Sequence, residues 1–265
     1  MKIYISADIE GVNGITAWEE TSLGKDGYAY FQRQMTEEVR RAAIGARRAG
    51  ADLVFVKDAH DEGRNIIPSE LPEYTVLHRG WEGSPEMMME GLSPDFDAVL
   101  FIGYHSGMLS SGNPLAHTLD PNIQRITLNG EKATEFLINA LYASSLNVPV
   151  AFLSGDEKLT QEAKRLIPGI ETVATVSGAH GATVSRHPSL TNQEMEEAVY
   201  KALKKDFRKN IIPLPERYVL EVEYRTHKEA YSASFFPKAE LVRENVVRFE
   251  SENFYDVLVF FKFAL

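Results

Sequence analysis

Short apolar runs alternating with helix-length amphipathic stretches narrow the fold of this chain more than any other feature. Residues 2–7 (Lys-Ile-Tyr-Ile-Ser-Ala), 52–57, 97–102 and 149–153 are brief and rich in β-branched and aromatic residues, as strands buried on both faces are. Between and after them lie helical patterns at about 31–48, closed by Gly50, at 85–91, at 131–146, and at 156–167, closed by Pro168-Gly169. Strand–helix alternation of this kind predicts a doubly wound α/β fold with a mostly parallel sheet. Residues 117–128 read as an antiparallel excursion that turns at Asn129-Gly130.

The pattern changes near residue 191. Thr191 and Glu194 have the spacing of a capping box, and the helix they open is expected to run to about Lys209. Pro213-Leu214-Pro215 breaks the chain. Beyond it come a strand at 218–224, a short helix at 227–234, strands near 239–242 and 246–250, and a last helix at 253–264 with Ser251 as its N-cap. The expected division is an α/β metal-binding catalytic domain over 1–212 and a smaller C-terminal α+β subdomain over 213–265.

Composition removes several classes of function. Lys and Arg number 28 against 38 Asp and Glu, a formal charge of −10, which argues against a nucleic-acid or anionic-membrane partner. With no cysteine, disulfides, thiolate metal sites and a cysteine nucleophile are excluded. No apolar stretch approaches the ~20 residues of a membrane span, and the N-terminal apolar run, cut by Asp8, does not read as a signal peptide. The expected location is the cytoplasm.

The chemistry gathers at strand ends. In an open parallel sheet, ligands bind beyond the carboxyl ends of the strands. The first strand ends in Asp8-Ile9-Glu10-Gly11, the second in Asp58-Ala59-His60, and the run at 97–102 leads to Gly103-Tyr104-His105. Asp8 and Glu10 repel each other unless a cation, a proton or a basic partner lies between them. A lone strand-end histidine is more often a hydrogen-bonding residue than a ligand. Carboxylates and two histidines meeting at one edge, with no cysteine available, make a usual zinc environment. Glu135 reads either as a solvated helix residue, one turn into its helix, or as a third carboxylate. His117 reads either as structural or as a free histidine for proton transfer or for stabilising a tetrahedral intermediate. Three carboxylates and two histidines exceed the needs of one four-coordinate ion and suit two metals bridged by a carboxylate, a device for hydrolysis. Gly155-Asp156 reads as a turn with Asp156 as N-cap, Met87-Met88-Met89 as adaptable packing, and Trp18 and Trp81 either as the rim of a substrate entrance or as buried contacts.

Asp8-Ile9-Glu10-Gly11-Val12-Asn13-Gly14-Ile15, Asp58-Ala59-His60, Gly103-Tyr104-His105, His117, the Leu128-Asn129-Gly130 turn with Glu135, and Val148-Pro149-Val150 leading to Gly155-Asp156 together resemble the zinc-dependent D-aminopeptidases of the DppA type. The likeness runs in order over about residues 1–190. It implies two zinc ions per subunit, with Asp8 bridging, Glu10 and His60 completing one metal, and His105 and Glu135 the other. It also implies a catalytic His117, short peptides with N-terminal D-residues as substrates, and a homo-oligomer built from rings, a decamer. One stretch departs from the pattern: Ser177 and Gly181 stand where Lys and Arg are expected, with His180 between them.

Two alternatives compete. A haloacid-dehalogenase-like phosphatase opens with Asp-x-Asp-Gly-Thr, which Asp8-Ile9-Glu10-Gly11-Val12 resembles; Glu10 is one methylene too long for it and Val12 lacks the hydroxyl. A non-catalytic, ring-forming metal-binding protein is the other.

Overall fold

The computed structural model describes residues 1–265. The chain runs β1 (Lys2–Ala7), α1 (Tyr28–Ala49), β2 (Leu53–Asp58), β3 (Thr75–His78), β4 (Ala98–Tyr104), β5 (Ile123–Leu128), β6 (Glu131–Lys132), α2 (Glu135–Ser145), β7 (Val150–Asp156), α3 (Glu157–Leu166), β8 (Glu171–Ala179), β9 (Ala182–Ser185) and α4 (Pro188–Lys204). It closes with β10 (Tyr218–Tyr224), α5 (His227–Ala233), β11 (Glu240–Arg243), β12 (Val246–Ser251) and α6 (Phe254–Ala264).

The main sheet has the order β3-β2-β1-β4-β7-β8-β9, parallel throughout except for the β8–β9 hairpin. Alternation along β1 separates two cores: Ile3 and Ile5 pack toward α1 and α4, while Tyr4 faces the layer containing α2 and the C-terminal elements. Helices therefore cover both faces, as the doubly wound reading requires. From β1 the chain first builds outward through β2 and β3, then returns to lay β4 on the other side of β1. That reversal opens a crevice beyond the ends of β1 and β4, the usual ligand position in such sheets.

A second, antiparallel sheet has the order β11-β12-β10-β5-β6. Its members come from the excursion after β4 as well as from the C-terminal segment, because β5 pairs along β10. No helix is long and apolar enough to cross a membrane.

Several local expectations are corrected. The stretch 85–91 forms only a 3-10 turn at Met87–Met89, cut by Gly91 at φ +84°; so short a run cannot meet the cost of helix nucleation. The helix expected from 131 begins at Glu135, since Glu131 and Lys132 pair back onto β5 and the Thr134 hydroxyl accepts the Leu137 N–H as the cap. Glu135 is thus the first helical residue rather than one turn inside. The helix expected at 191–209 begins at Pro188, capped by His187, and ends at Lys204. Proline at the first helical position explains the earlier start; Thr191 lies inside that turn and donates to the Pro188 carbonyl. The last helix is capped by Asn253, not by Ser251, which ends β12.

Candidate metal centre

Register brings the strand ends level. Ala7 pairs with Asp58 on one side and with Ile102 on the other. Past the sheet, Asp8 N–H donates to Ile102 O and Gly11 N–H to Gly103 O, both at 2.8 Å, while Ala59 N–H donates to Ala7 O at 2.8 Å. Side chains one to three residues beyond these bonds, Asp8, Glu10, His60 and His105, must converge. The approach is close enough to demand glycine: a Cβ on Gly11 would lie 1.8 Å from Tyr104 O, and one on Gly103, at φ +70°, 2.3 Å from Asp8 O.

Neighbouring polar groups hold the loops. Asp58 accepts from Asn65 N–H (2.6 Å), Asn65 Nδ2 (2.9 Å) and Ile66 N–H (2.7 Å), folding the 59–66 turn so that Asn65 Nδ2 also reaches His60 O. Asn113 Nδ2 donates to Glu10 O at 2.9 Å. Asp156 takes the N-cap role expected of it, accepting from Leu159 N–H, and also accepts from the Ser106 hydroxyl beside His105. The α2 N-terminus delivers Glu135 to the crevice, where its Oε1 accepts from Leu119 N–H at 2.8 Å.

The hydrogen bonds fix which imidazole nitrogen is free. Carbonyl oxygens only accept, so His60 Nε2–H donates to Thr21 O (3.0 Å), His105 Nδ1–H to Ser106 O (3.0 Å) and His117 Nδ1–H to Leu115 O (2.9 Å). The lone pairs left over point inward. His60 Nδ1 lies 3.3 Å from Asp8 Oδ1 and 3.2 Å from Glu10 Oε2. His105 Nε2 lies 3.5 Å from Asp8 Oδ2 and 3.3 Å from Glu135 Oε2. His117 Nε2 lies 3.6 Å from Glu135 Oε1. His117 stacks on His105 with ring centroids 4.3 Å apart and meets the Trp18 ring edge-on.

Two triads of ligand atoms result, Asp8–Glu10–His60 and Asp8–His105–Glu135, each with its atoms within 4.8 Å of one another and Asp8 common to both; Glu10, His105 and His117 form a third, overlapping set. All five residues of the two triads are buried. Asp8 Oδ2, Glu10 Oε2, Glu135 Oε2 and His105 Nε2 are buried with no hydrogen-bond partner. Orphaned acceptors gathered at one point are too costly to leave unpaired, and a donor set of carboxylate oxygens and neutral imidazole nitrogens fits borderline divalent ions such as zinc.

The electrostatics state the same demand. Burial opposes charge on the His60 and His105 rings, but the surrounding carboxylates outweigh it and raise both well above the ordinary histidine value. Burial and the charge of Glu10 push Asp8 up. Glu135 is drawn down to about 2, burial being outweighed by His105. His117 differs: burial and the nearby His105 lower it, so its free Nε2 is a neutral lone pair.

The centre forms the floor of a cavity of about 570 Å³ whose walls include Trp18, Trp81, Met88 and Leu119. Both tryptophans line this cavity and are exposed. Below Trp81, Lys57 and Glu90 form a buried ion pair (3.1 Å), and the Lys57 ammonium lies 4.0 Å from the Trp81 ring centroid. This pair escaped the sequence reading, although a lysine next to the last residue of an apolar strand was a signal for it. His180 lies at the exposed β8–β9 turn with φ +57° and does not line the cavity. Ser177 donates to Glu157.

A model of the M55 peptidase family, described as D-aminopeptidase, matches residues 1–263. The D-aminopeptidase of Bacillus subtilis (strain 168) is 30% identical over 258 residues, covering 96% of this chain and 92% of that protein. The solved structure of the zinc-dependent D-aminopeptidase DppA from Bacillus subtilis, a self-compartmentalizing protease, superposes with a TM-score of 0.91 at 29% identity, covering all of this chain and 98% of the other.

Proposed function

Given that the chain belongs to the M55 D-aminopeptidase family, and so is a metal-dependent aminopeptidase, we propose that it uses two zinc ions per subunit to release N-terminal D-residues from short peptides. The observation that carries this reading is the shared Asp8: its two oxygens face two different histidine–carboxylate sets. Asp8 is assigned as the bridge, Glu10 and His60 as ligands of one zinc, His105 and Glu135 as ligands of the other. A zinc pair, when bound, supplies Lewis acidity that polarises the scissile carbonyl and makes water nucleophilic near neutral pH.

The chain's own groups do the rest. Thr21 O and Ser106 O, accepting from His60 Nε2–H and His105 Nδ1–H, aim His60 Nδ1 and His105 Nε2 at the carboxylates, the nitrogens that would meet zinc in place of a proton. His117, oriented through Leu115 O and kept neutral, accepts the proton of the attacking water at Nε2 and returns it to the departing nitrogen as the C–N bond breaks. Asp61, which faces the cavity outside the ligand set, attracts the free α-amine. Residues 1–212 are read as the part supplying the metal centre, and 213–265 as the part completing the cavity wall. We read the enzyme as a cytoplasmic homo-oligomer built from rings; a decamer would show a solution mass about ten times that of the 29.7 kDa chain.

The test compares D- and L-alanyl amides, short D-peptides and an aryl phosphate before and after chelation. Zinc-restorable cleavage of D-substrates is expected. Phosphate release without amide cleavage would overturn the reading. His117→Ala should lower turnover with its zinc still bound; loss of zinc in that variant would reassign His117 as a ligand.

A further inference from the structure

The carboxylates facing the cavity belong to Asp8, Glu10, Asp61, Glu90 and Glu135. Against them stands one lysine, Lys262, from the last turn of α6. It is exposed, and it makes neither an ion pair nor a side-chain hydrogen bond. Lys57 beneath the wall is different, since its charge is already matched by Glu90 and capped by Gly80 O. Zinc, when bound, would offset Asp8, Glu10 and Glu135, and Lys57 offsets Glu90, so the uncommitted charges facing the cavity are Lys262 and Asp61, which is exposed and makes no ion pair.

A short peptide is polarised in the same sense. Its α-amine is drawn to Asp61, and its terminal carboxylate is left to meet Lys262. A lysine ammonium on a flexible four-carbon stem meets such a carboxylate as a mobile point charge. Resting on the aminopeptidase reading above, we propose that Lys262 binds the terminal α-carboxylate of short peptide substrates and so selects for peptides with a free C-terminus. The C-terminal subdomain then takes part in substrate choice, because Lys262 enters the cavity from α6 rather than from the sheet that bears the metal centre.

The test uses zinc-loaded wild-type enzyme, Lys262→Met and Lys262→Arg, with D-alanyl-D-alanine and its C-terminal amide as substrates. Lys262→Met should raise KM for the free dipeptide about 5- to 20-fold, the range for a partly solvated charge-assisted contact, with kcat little changed. It should leave the kinetics of the amide unaltered, and Lys262→Arg should retain most of the dipeptide affinity. Equal losses on both substrates would assign Lys262 a structural role and overturn the proposal, as would no change on either. If the wild type cleaves neither substrate, the aminopeptidase reading itself fails; cleavage of both without discrimination by Lys262 refutes only the carboxylate contact.

Discussion

Replacing Glu38 by glutamine should stabilise this protein at alkaline pH and do little at acid pH. Glu38 lies on α1, fully buried. Its Oε1 accepts from Asn13 N–H (3.0 Å) and from Gln34 Nε2 (3.1 Å), while Oε2 has no partner. Burial raises its pKa from 4.5 to about 7, with the Asn13 and Gln34 hydrogen bonds pulling the other way. Between those values the folded chain holds a proton that the unfolded chain has released. The contribution to stability is therefore fully present below about 4.5, falls as pH rises, and is gone once pH passes about 7. A shift of that size corresponds to about 3 kcal/mol. Glutamine keeps the Oε1 acceptor and cannot ionise. At pH 8 the variant should melt about 6–12 °C above wild type, with the difference shrinking to about 2–3 °C at pH 5. Thermal unfolding of both proteins in excess zinc over this range reads the difference directly, because pH effects on zinc binding are common to the two. A difference that stays constant with pH, or a variant less stable at pH 8, would refute the reasoning. The site is relevant to function because Asn13 closes the loop that begins with Asp8 and Glu10.

Two further perturbations test the supports of the centre. Gly11→Ala should cost more than about 3 kcal/mol, since the new Cβ would meet the Tyr104 backbone carbonyl rather than a movable side chain; loss of soluble folded protein, or a sharp fall in urea midpoint, checks it. Lys57→Met should cost about 1–3 kcal/mol by removing the cation paired with Glu90, whose carboxylate keeps its bonds from the Glu82, Gly83 and Ser84 N–H groups. Adding Glu90→Gln to that variant should recover part of the loss, which the same urea titration would show.

How far the sequence could be read depended on whether a residue's place follows from local pattern. β1, β2, β4 and β7 are buried on both faces, so continuous apolar runs betray them. β3 is a four-residue edge strand, half buried, and leaves little trace. The pairing of Ile123–Leu128 with Tyr218–Tyr224 joins segments about ninety residues apart, which no local periodicity encodes. In the centre, Asp8, Glu10, His60 and His105 were legible because a parallel sheet fixes where strand ends meet. Glu135 and His117 come from a helix start and a loop, so the residues alone left a structural and a functional reading open for each, and the family resemblance chose between them. Lys262 was missed altogether: a lone lysine in an apolar terminal helix looks like a solvated charge until the helix is seen lining the cavity. Gly155-Asp156 faintly resembles a later acidic motif of the phosphatase alternative, but Asp156 is committed to capping α3 and holding Ser106.

Zinc stoichiometry of wild type and of single-ligand variants tests the two-metal account most directly. Elemental analysis of protein equilibrated with zinc and desalted should give about two ions per chain. His60→Ala and His105→Ala should each retain about one, because each removes a ligand from a single triad, and Asp8→Ala should retain fewer than either. About one ion per chain in the wild type, or an Asp8→Ala variant that keeps both, would contradict a centre built on a shared Asp8.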